Sequence, residues 1–374
     1  MEGEYQICKR CVMDTTDPDI VFDENGYCNH CTNALQQLKD KFGDKKKNKE
    51  RLQEIIQTIK AEGKNKKYDC IIGLSGGIDS SYLAYVLVKE YGIRPLAIHL
   101  DNGWNSEQAV ANIHKIVTRL NIDLITHVID WDEFKELQKA FLRASVVDLE
   151  MLSDHAIVVA INKIAQKKKI RYFLIGGNFQ TESIMPRNWF YSNKIDSKNI
   201  MDIYYQFGSG KKLRTFPFLS FYDYFFFGKK YGKYLVPLSY LDYNKDTAKE
   251  ILKAEVGWQD YGAKHHESFI TKFYQTYILP NKFGVDKRKA HLSSLICVNQ
   301  ITRDEALEEL QGEVFNNPAE EKEAIAYFCK KMELSFDEFE QIMKLPRKEH
   351  DNFKSYAMKI KKIVRIAKLL LFKK

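Results

Sequence analysis

Between residues 70 and 175, short apolar runs alternate with longer stretches of helical spacing. Cys70–Leu74 is a run of apolar residues too short to stand as a helix, and it reads as a strand buried on both faces. The pattern then predicts a helix over Ser80–Tyr91, a strand over Pro95–Leu100, a helix over Ser106–Leu120 and a strand over Asp123–Ile129. Helices over Trp131–Ala144 and Ser153–Lys168 and a strand over Tyr172–Ile175 follow. Strands separated by helices of about 10–15 residues predict an α/β fold with a parallel sheet and right-handed crossovers. Upstream, Ala34–Phe42 and Arg51–Ala61 read as helices joined by a lysine-rich linker. Downstream, helical spacing recurs over Asp246–Ala254, Glu267–Leu279, Lys287–Val298, Arg303–Leu310, Ala319–Met332, Phe336–Lys344 and Tyr356–Phe372. Phe190–Tyr240 breaks the alternation and is dense in Phe and Tyr. Its core, Thr215–Tyr234, is read as a helical pair covering a site, a subunit interface or a base-stacking surface.

Ligands of parallel sheets bind at the carboxyl ends of the strands, so the chemistry is sought there. The first strand runs into Ser75-Gly76-Gly77-Ile78-Asp79-Ser80-Ser81. Strand, Gly/Ser turn and helix together present free backbone N–H groups to an anion. No Lys follows the glycines, which excludes the Walker loop. Asp79 by itself reads as a helix N-terminal charge. The second strand ends at Asp101-Asn102, which either contacts a ligand or forms the turn before the helix that Ser106 caps. The fourth ends at Gly176-Gly177-Asn178-Phe179-Gln180-Thr181-Glu182, where small residues permit close approach and the polar side chains offer contacts.

The chain has 374 residues, 44% of them hydrophobic and 29% charged, as expected of a water-soluble protein. No uncharged apolar run approaches the roughly 18 residues of a membrane span, and Met1–Tyr5 lacks a signal peptide's apolar core; a cytoplasmic location is expected. The net charge of +8 fits nucleic acid, an anionic nucleotide-bearing substrate or merely solvated lysine faces. Four of the seven cysteines form Cys8-x2-Cys11 and Cys28-x2-Cys31 with sixteen residues between. That spacing fits a closed four-cysteine zinc site, and a closed site is structural. Disulfides are the disfavoured alternative. His30 lies inside the second knuckle but four thiolates already complete the tetrahedron. Cys70, Cys297 and Cys329 have no partner in sequence. Lys264-His265-His266-Glu267 and Lys282–His291 form a second polar block. Adjacent histidines on a helix point about 100° apart and rarely share an ion. Lys264, Lys287 and Arg288 suit phosphates better.

Ser75–Ser80 matches the Ser-Gly-Gly-x-Asp-Ser pattern and so resembles the PP-loop of the ATP pyrophosphatases, which split ATP between the α and β phosphates. With the cysteine knuckles, Gly176–Glu182 and the Lys264–His291 block added, residues from about Tyr5 to Thr302 resemble the N-acetyl sugar amidotransferases of bacterial surface-polysaccharide pathways. The resemblance implies an adenine nucleotide alpha hydrolase-like α/β domain over 67–240, with an aromatic insertion near 189–232. A zinc ribbon over 1–33, a helical linker over 34–66 and a helical region over 241–374 complete the expected organisation. Tyr234–Leu238 resembles the last sheet strand. ATP is expected on Ser75, Gly76, Gly77, Asp79, Ser80, Ser81, Asp101, Asn102, Gly176, Gly177, Asn178, Gln180, Thr181 and Glu182. Asp79 is expected to help hold Mg²⁺ and to act in catalysis with Lys264, Lys287 and Arg288.

The implied reaction turns a sugar acetamido group into an acetamidino group in O-antigen or nonulosonic acid synthesis, through adenylylation and attack by ammonia. The chain shows no glutaminase cysteine motif. A separate glutaminase and a cyclase-like barrel subunit are the implied partners, and a nucleotide-activated N-acetyl sugar is the implied substrate. Neither nucleic acid nor a membrane surface is expected as a partner, and assembly into a homo-oligomer stays open. A tRNA 2-thiolation enzyme would share the loop and the ribbon, but it usually needs a sulfur-carrying cysteine pair. A zinc-ribbon binding module on an inactive nucleotide fold would not need Asp79 and the loop serines. The apolar stripe of Tyr356–Phe372 reads as a packed helix in preference to a basic helix on a membrane.

Overall fold

The computed structural model describes residues 4–227, 232–260, 267–312, 315 and 317–362. Among them β1 (Cys70–Gly73), β2 (Pro95–Asp101), β3 (Asp123–Val128), β4 (Tyr172–Leu174) and β5 (Lys233–Leu235) form one parallel sheet. The order is β3-β2-β1-β4-β5. The chain therefore builds outward from β1 to β3, then returns to the other side of β1 with β4. Side chains alternate across the sheet. Cys70, Ile72, Ala97 and Leu174 face Leu83, Ile113, Ile116 and Leu252, while Ile71, Leu96, Ile98 and Phe173 face Ile161 and Ala165. Burial on both faces is why β1, β2 and β4 read as apolar runs, while the edge strands β3 and β5 are more exposed.

Helices α1 (Asn29–Phe42) and α2 (Lys45–Gly63) precede the sheet; α3 (Ile78–Tyr85), α4 (Glu107–Leu120), α5 (Trp131–Ala144) and α6 (Met151–Lys168) connect its strands. The lysines expected as a linker are the first turn of α2. Asp44 caps that turn by accepting from Lys47 N at 3.0 Å, and lysine is a good helix former. The helix expected over Ser80–Tyr91 ends as α3 at Tyr85 and closes with one π turn, Val86–Glu90. The strand expected over Tyr234–Leu238 stops at Leu235, because Pro237 lacks the N–H a strand would use and instead opens a 3₁₀ turn, Pro237–Tyr240.

The insertion holds α7 (Ser197–Phe207), which the sequence pattern did not mark. Over Thr215–Tyr234 the expected helical pair is not formed among the described residues; the one helix there is a short turn, Phe221–Phe225. Glu133, in the first turn of α5, accepts the backbone N–H groups of Arg214, Thr215 and Phe216 at 2.6 to 3.0 Å. Those groups are thereby taken from any helix. The segment is a strap packed on α5 and α6.

Downstream, Phe269–Phe273 and Leu279–Phe283 flank a π turn, Tyr274–Ile278, in place of one continuous helix. Helices Lys287–Cys297, Arg303–Gln311, Pro318–Met332 and Phe336–Lys344 follow. Rings of Phe273, Phe328 and Phe339 meet at their centre. Of the expected helix Tyr356–Phe372, residues 356–362 are helical and the rest lies outside the described residues. No described helix is long and apolar enough to cross a membrane.

Candidate functional site

A parallel sheet whose order reverses beside β1 opens a crevice between the carboxyl ends of β1 and β4. A cavity of about 390 Å³ occupies that crevice. Ser75, Gly77, Asp79 and Ser80 line it from the β1 side, Asn102 from the β2 side, and Gly176, Gly177 and Glu182 from the β4 side. Segments a hundred residues apart in sequence thus meet at one mouth.

The loop is stitched by its own hydroxyls. Ser75 N donates to Ser80 Oγ at 3.3 Å, Gly77 N to Ser75 Oγ at 3.2 Å, and Ser80 Oγ to Gly77 O at 3.1 Å. The two glycines do different work. Gly77 faces the cavity at the start of α3. Gly76 does not; it sits at φ +81°, where a Cβ would lie 2.3 Å from Ala109 O of α4. Its carbonyl accepts the Trp258 indole N–H at 3.0 Å. Gly176 is needed for a second close approach, because a Cβ there would lie 2.6 Å from Ser80 N. Asp79 accepts from Tyr243 OH. The Glu182 carboxylate lies against Gly177.

Not every expected contact faces this cavity. Ser81 is fully buried behind the loop. Asp101 makes the turn instead, accepting from Gly103 N at 2.9 Å and from Asn105 Nδ2 at 3.3 Å. Asn102 donates to Ser153 Oγ at 3.0 Å and accepts from Trp104 N at 3.1 Å. Asn178 and Gln180 shape the β4 loop: Asn178 Oδ1 accepts from Thr181 N at 2.8 Å, and Gln180 Nε2 donates to Leu241 O at 2.9 Å. Lys264, with His265 and His266, lies outside the described residues.

Lys287 and Arg288 face a different space, a cavity of about 770 Å³ walled mainly by residues 272–321. Thr181 and Glu182 also line it, so Glu182 borders both cavities. Lys287 Nζ pairs with Glu150 at 2.8 Å, and Arg288 is held by Asp286 at 2.8 Å.

Reading strand ends alone missed the start of α6. Glu150, Ser153 and Asp154 line the first cavity, and Lys194 from the insertion bridges Asp154 at 2.9 Å and Asp148 at 2.5 Å. Burial works against that ammonium charge, but the two carboxylates outweigh it and hold its pKa above the usual lysine value. The acidic run Asp148–Asp154 at a helix start was the available signal. His99 was missed too. Burial lowers its pKa, so it is neutral; Nδ1 donates to Leu74 O at 3.0 Å and Nε2 accepts from Asn105 Nδ2 at 3.1 Å. It ties the β1 loop to the β2 loop.

Outside both cavities the sulfurs of Cys8, Cys11, Cys28 and Cys31 all lie within 4.8 Å of one another. Cys8 and Cys31 are 3.8 Å apart and Cys11 and Cys28 3.6 Å. A tetrahedral thiolate site with metal–sulfur bonds of about 2.3 Å has edges of about 3.8 Å, so the cluster fits such an ion. His30 is outside it, with Nε2 2.5 Å from Asp17 Oδ2. Arg303 Nε donates to the carbonyls of Cys8 and Cys11, each at 3.1 Å, and Val12 N donates to Ser293 Oγ at 3.2 Å. The knuckle is therefore fastened to the C-terminal helices.

Residues 48–185 match the family model described as NAD synthase, and residues 267–368 match that of the LPS biosynthesis protein WbpG-like, C-terminal domain. An uncharacterized protein of Methanocaldococcus jannaschii is 32% identical over 95 residues, which are 25% of this chain and 33% of that protein. Among solved structures, an NH3-dependent NAD synthetase from Campylobacter jejuni gives a TM-score of 0.28 at 18% identity, over 37% of this chain and 58% of that one. An NMN synthetase from Francisella tularensis gives 0.35 at 15% identity, over 80% and 98% of the two chains. The U34-tRNA thiolase NcsA from Methanococcus maripaludis gives 0.33 at 16%, over 82% and 89%. This chain spans a third of the M. jannaschii relative and little more than half of the C. jejuni enzyme. It joins a PP-loop domain of the NAD synthase type, the fold of ATP-using ligases, to a WbpG-like C-terminal domain of lipopolysaccharide biosynthesis.

Proposed function

We propose that the protein is an ATP-dependent amidotransferase that converts the acetamido group of a nucleotide-activated sugar to an acetamidino group. The observation that carries this reading is the pair of carboxylates, Asp79 and Glu182, brought from opposite sides of the sheet's reversal point to one cavity at the start of α3. The α3 N–H groups suit the triphosphate, and hard carboxylate oxygens suit its Mg²⁺. Ile98, Leu100 and Ile157 give the same cavity an apolar side for the base.

An amide carbon is a poor electrophile. Attack of the acetamido oxygen on the α-phosphorus expels pyrophosphate and turns that oxygen into a leaving group. Ammonia then bonds to the carbon, a proton is lost, and AMP departs with the oxygen. The chain's own part is to bind, align and keep the activated amide from water. Ammonia supply is assigned to a separate glutaminase and barrel subunit. Zn²⁺ in the four-cysteine cluster is assigned a structural role, since all four positions are filled by thiolates. Among the described residues no cysteine lines either cavity, which weighs against the sulfur-transfer alternative.

The test is product analysis on the purified chain supplied with a UDP-linked N-acetyl sugar. With ammonium salt at alkaline pH, ATP should yield AMP and pyrophosphate; with glutamine alone it should not. Asp79→Asn should cut turnover at least about 100-fold, the scale of losing a group that stabilises transition-state charge, with the melting curve unchanged. ADP and phosphate as products, or efficient use of glutamine by the chain alone, would refute the proposal.

A further inference from the structure

We infer that the second cavity is the compartment of the acceptor and that it takes a polyhydroxylated, carbohydrate-type ligand; this rests on reading the first cavity as the ATP site. At about 770 Å³ it falls within the range of small-molecule sites and exceeds the first cavity. Its walls mix signs. Lys272, Lys287 and Arg288 stand among Asp286, Glu309 and Glu321. Of the lysine and arginine side chains there, which include Lys245, Lys272 is engaged with Glu320 at 3.3 Å, Lys287 with Glu150 at 2.8 Å, and Arg288 with Asp286 at 2.8 Å and Gly312 O at 3.0 Å. A bare polyanion would have to break these pairs. Hydroxyl groups donate and accept at once, so a sugar can bond to both signs without separating them. The amides of Gln275, Asn281 and Asn317 add donors and acceptors, and Ile184, Leu292 and Phe315 offer apolar surface for the sugar's C–H faces.

Two further observations point to a ligand. Thr181 lines this cavity, is 3% exposed, and its hydroxyl has no hydrogen-bond partner among the described residues. A buried hydroxyl left without a partner is unfavourable, and a ligand hydroxyl reaching it would supply one. The cavity also abuts the first. Glu182 borders both, and Glu150 of the first accepts from Gln275 Nε2 at 3.1 Å and Lys287 Nζ at 2.8 Å, both of the second. A sugar seated here would stand one side chain from the nucleotide, with its acetamido group directed at Glu182.

The test uses the full chain, calorimetry, and free and UDP-linked N-acetylglucosamine as probes. Thr276, which lines the cavity from the π turn, is replaced by tryptophan to fill it. Thr276→Trp should weaken sugar binding at least about tenfold while ATP affinity stays within about twofold, which also reports an intact fold. If that variant does not fold, hydrogen exchange on the wild type decides: sugar should slow exchange over residues 272–292, and ATP over 75–85. Unchanged sugar affinity in a folded Thr276→Trp, no binding of either probe at millimolar concentration, or protection confined to 75–85 would overturn the inference. Should ATP give ADP and phosphate while Thr276→Trp still loses the sugar, the reaction is wrong and the cavity assignment stands.

Discussion

Gly76 shows how one backbone position can set the quality of a site it does not touch. It holds φ +81° with the α4 backbone against its Cα, and its carbonyl is tied to Trp258. Gly77, next along, is the one that meets the cavity. Gly76→Ala adds both left-handed strain and a contact with Ala109 O that cannot relax without moving α4. The expected cost is at least about 1–3 kcal/mol in urea unfolding, with ATP affinity weakened further than that destabilisation alone explains. Wild-type ATP affinity in a folded Gly76→Ala would show that the loop tolerates the shift. From sequence the two glycines are one motif; which serves the ligand and which serves α4 depends on a helix more than thirty residues away.

At the scale of elements, the sheet was legible because strands buried on both faces leave unmistakable apolar runs, and the PP-loop because it follows one of them. Cysteine spacing announced the knuckle for an equally local reason. What was illegible is set by distant partners. The strap at Thr215 stays irregular because Glu133, some eighty residues earlier, takes its N–H groups. The carboxylates of α6 escaped notice because they stand at a helix start rather than a strand end. The second cavity is assembled from the β4 loop and five separate stretches beyond residue 244; the polar block Lys282–His291 was marked, but nothing local said that it shares a cavity with the β4 loop. The knuckle gives the prediction at this scale. Purified protein should carry one tightly held ion per chain, and chelation should lower stability by at least a few kcal/mol, given that closing small zinc sites contributes on the order of 10 kcal/mol. Metal analysis and a chelator-dependent melt check it. Because Arg303 and Ser293 join the knuckle to the C-terminal helices, the loss should reach those helices first in hydrogen exchange.

Across the whole molecule, two buried histidines hold the insertion in place. His155 of α6 approaches Lys194 O at 3.0 Å and Pro217 O at 3.1 Å, and burial lowers its pKa to about 4. His350 bonds Asn199 Oδ1 at 2.7 Å, and burial, helped by the charges of Lys194 and Arg347, lowers its pKa to about 3. Both are neutral in the fold, so the unfolded chain binds protons that the folded one does not. Their stabilisation is complete above the ordinary histidine value of about 6.5 and is lost as pH falls through about 4 for His155 and about 3 for His350. The urea midpoint should be level near neutrality and drop from about pH 6 to about pH 3. His155→Gln should flatten that drop by on the order of 3 kcal/mol. A pH profile identical to the wild type's would contradict the assignment.

The residue that props the nucleotide loop, Trp258, follows Gly76 by 182 positions, and Tyr243, which bonds Asp79, follows it by 164. Ribosomes add roughly 5–20 residues per second. The loop therefore leaves the ribosome about ten seconds or more before its last buttress exists. In that interval the growing chain carries a complete motif without its two buttresses. If the proposed ATP site holds, nucleotide binding would come late in synthesis, as an outcome of completing the chain rather than an aid to folding its first half.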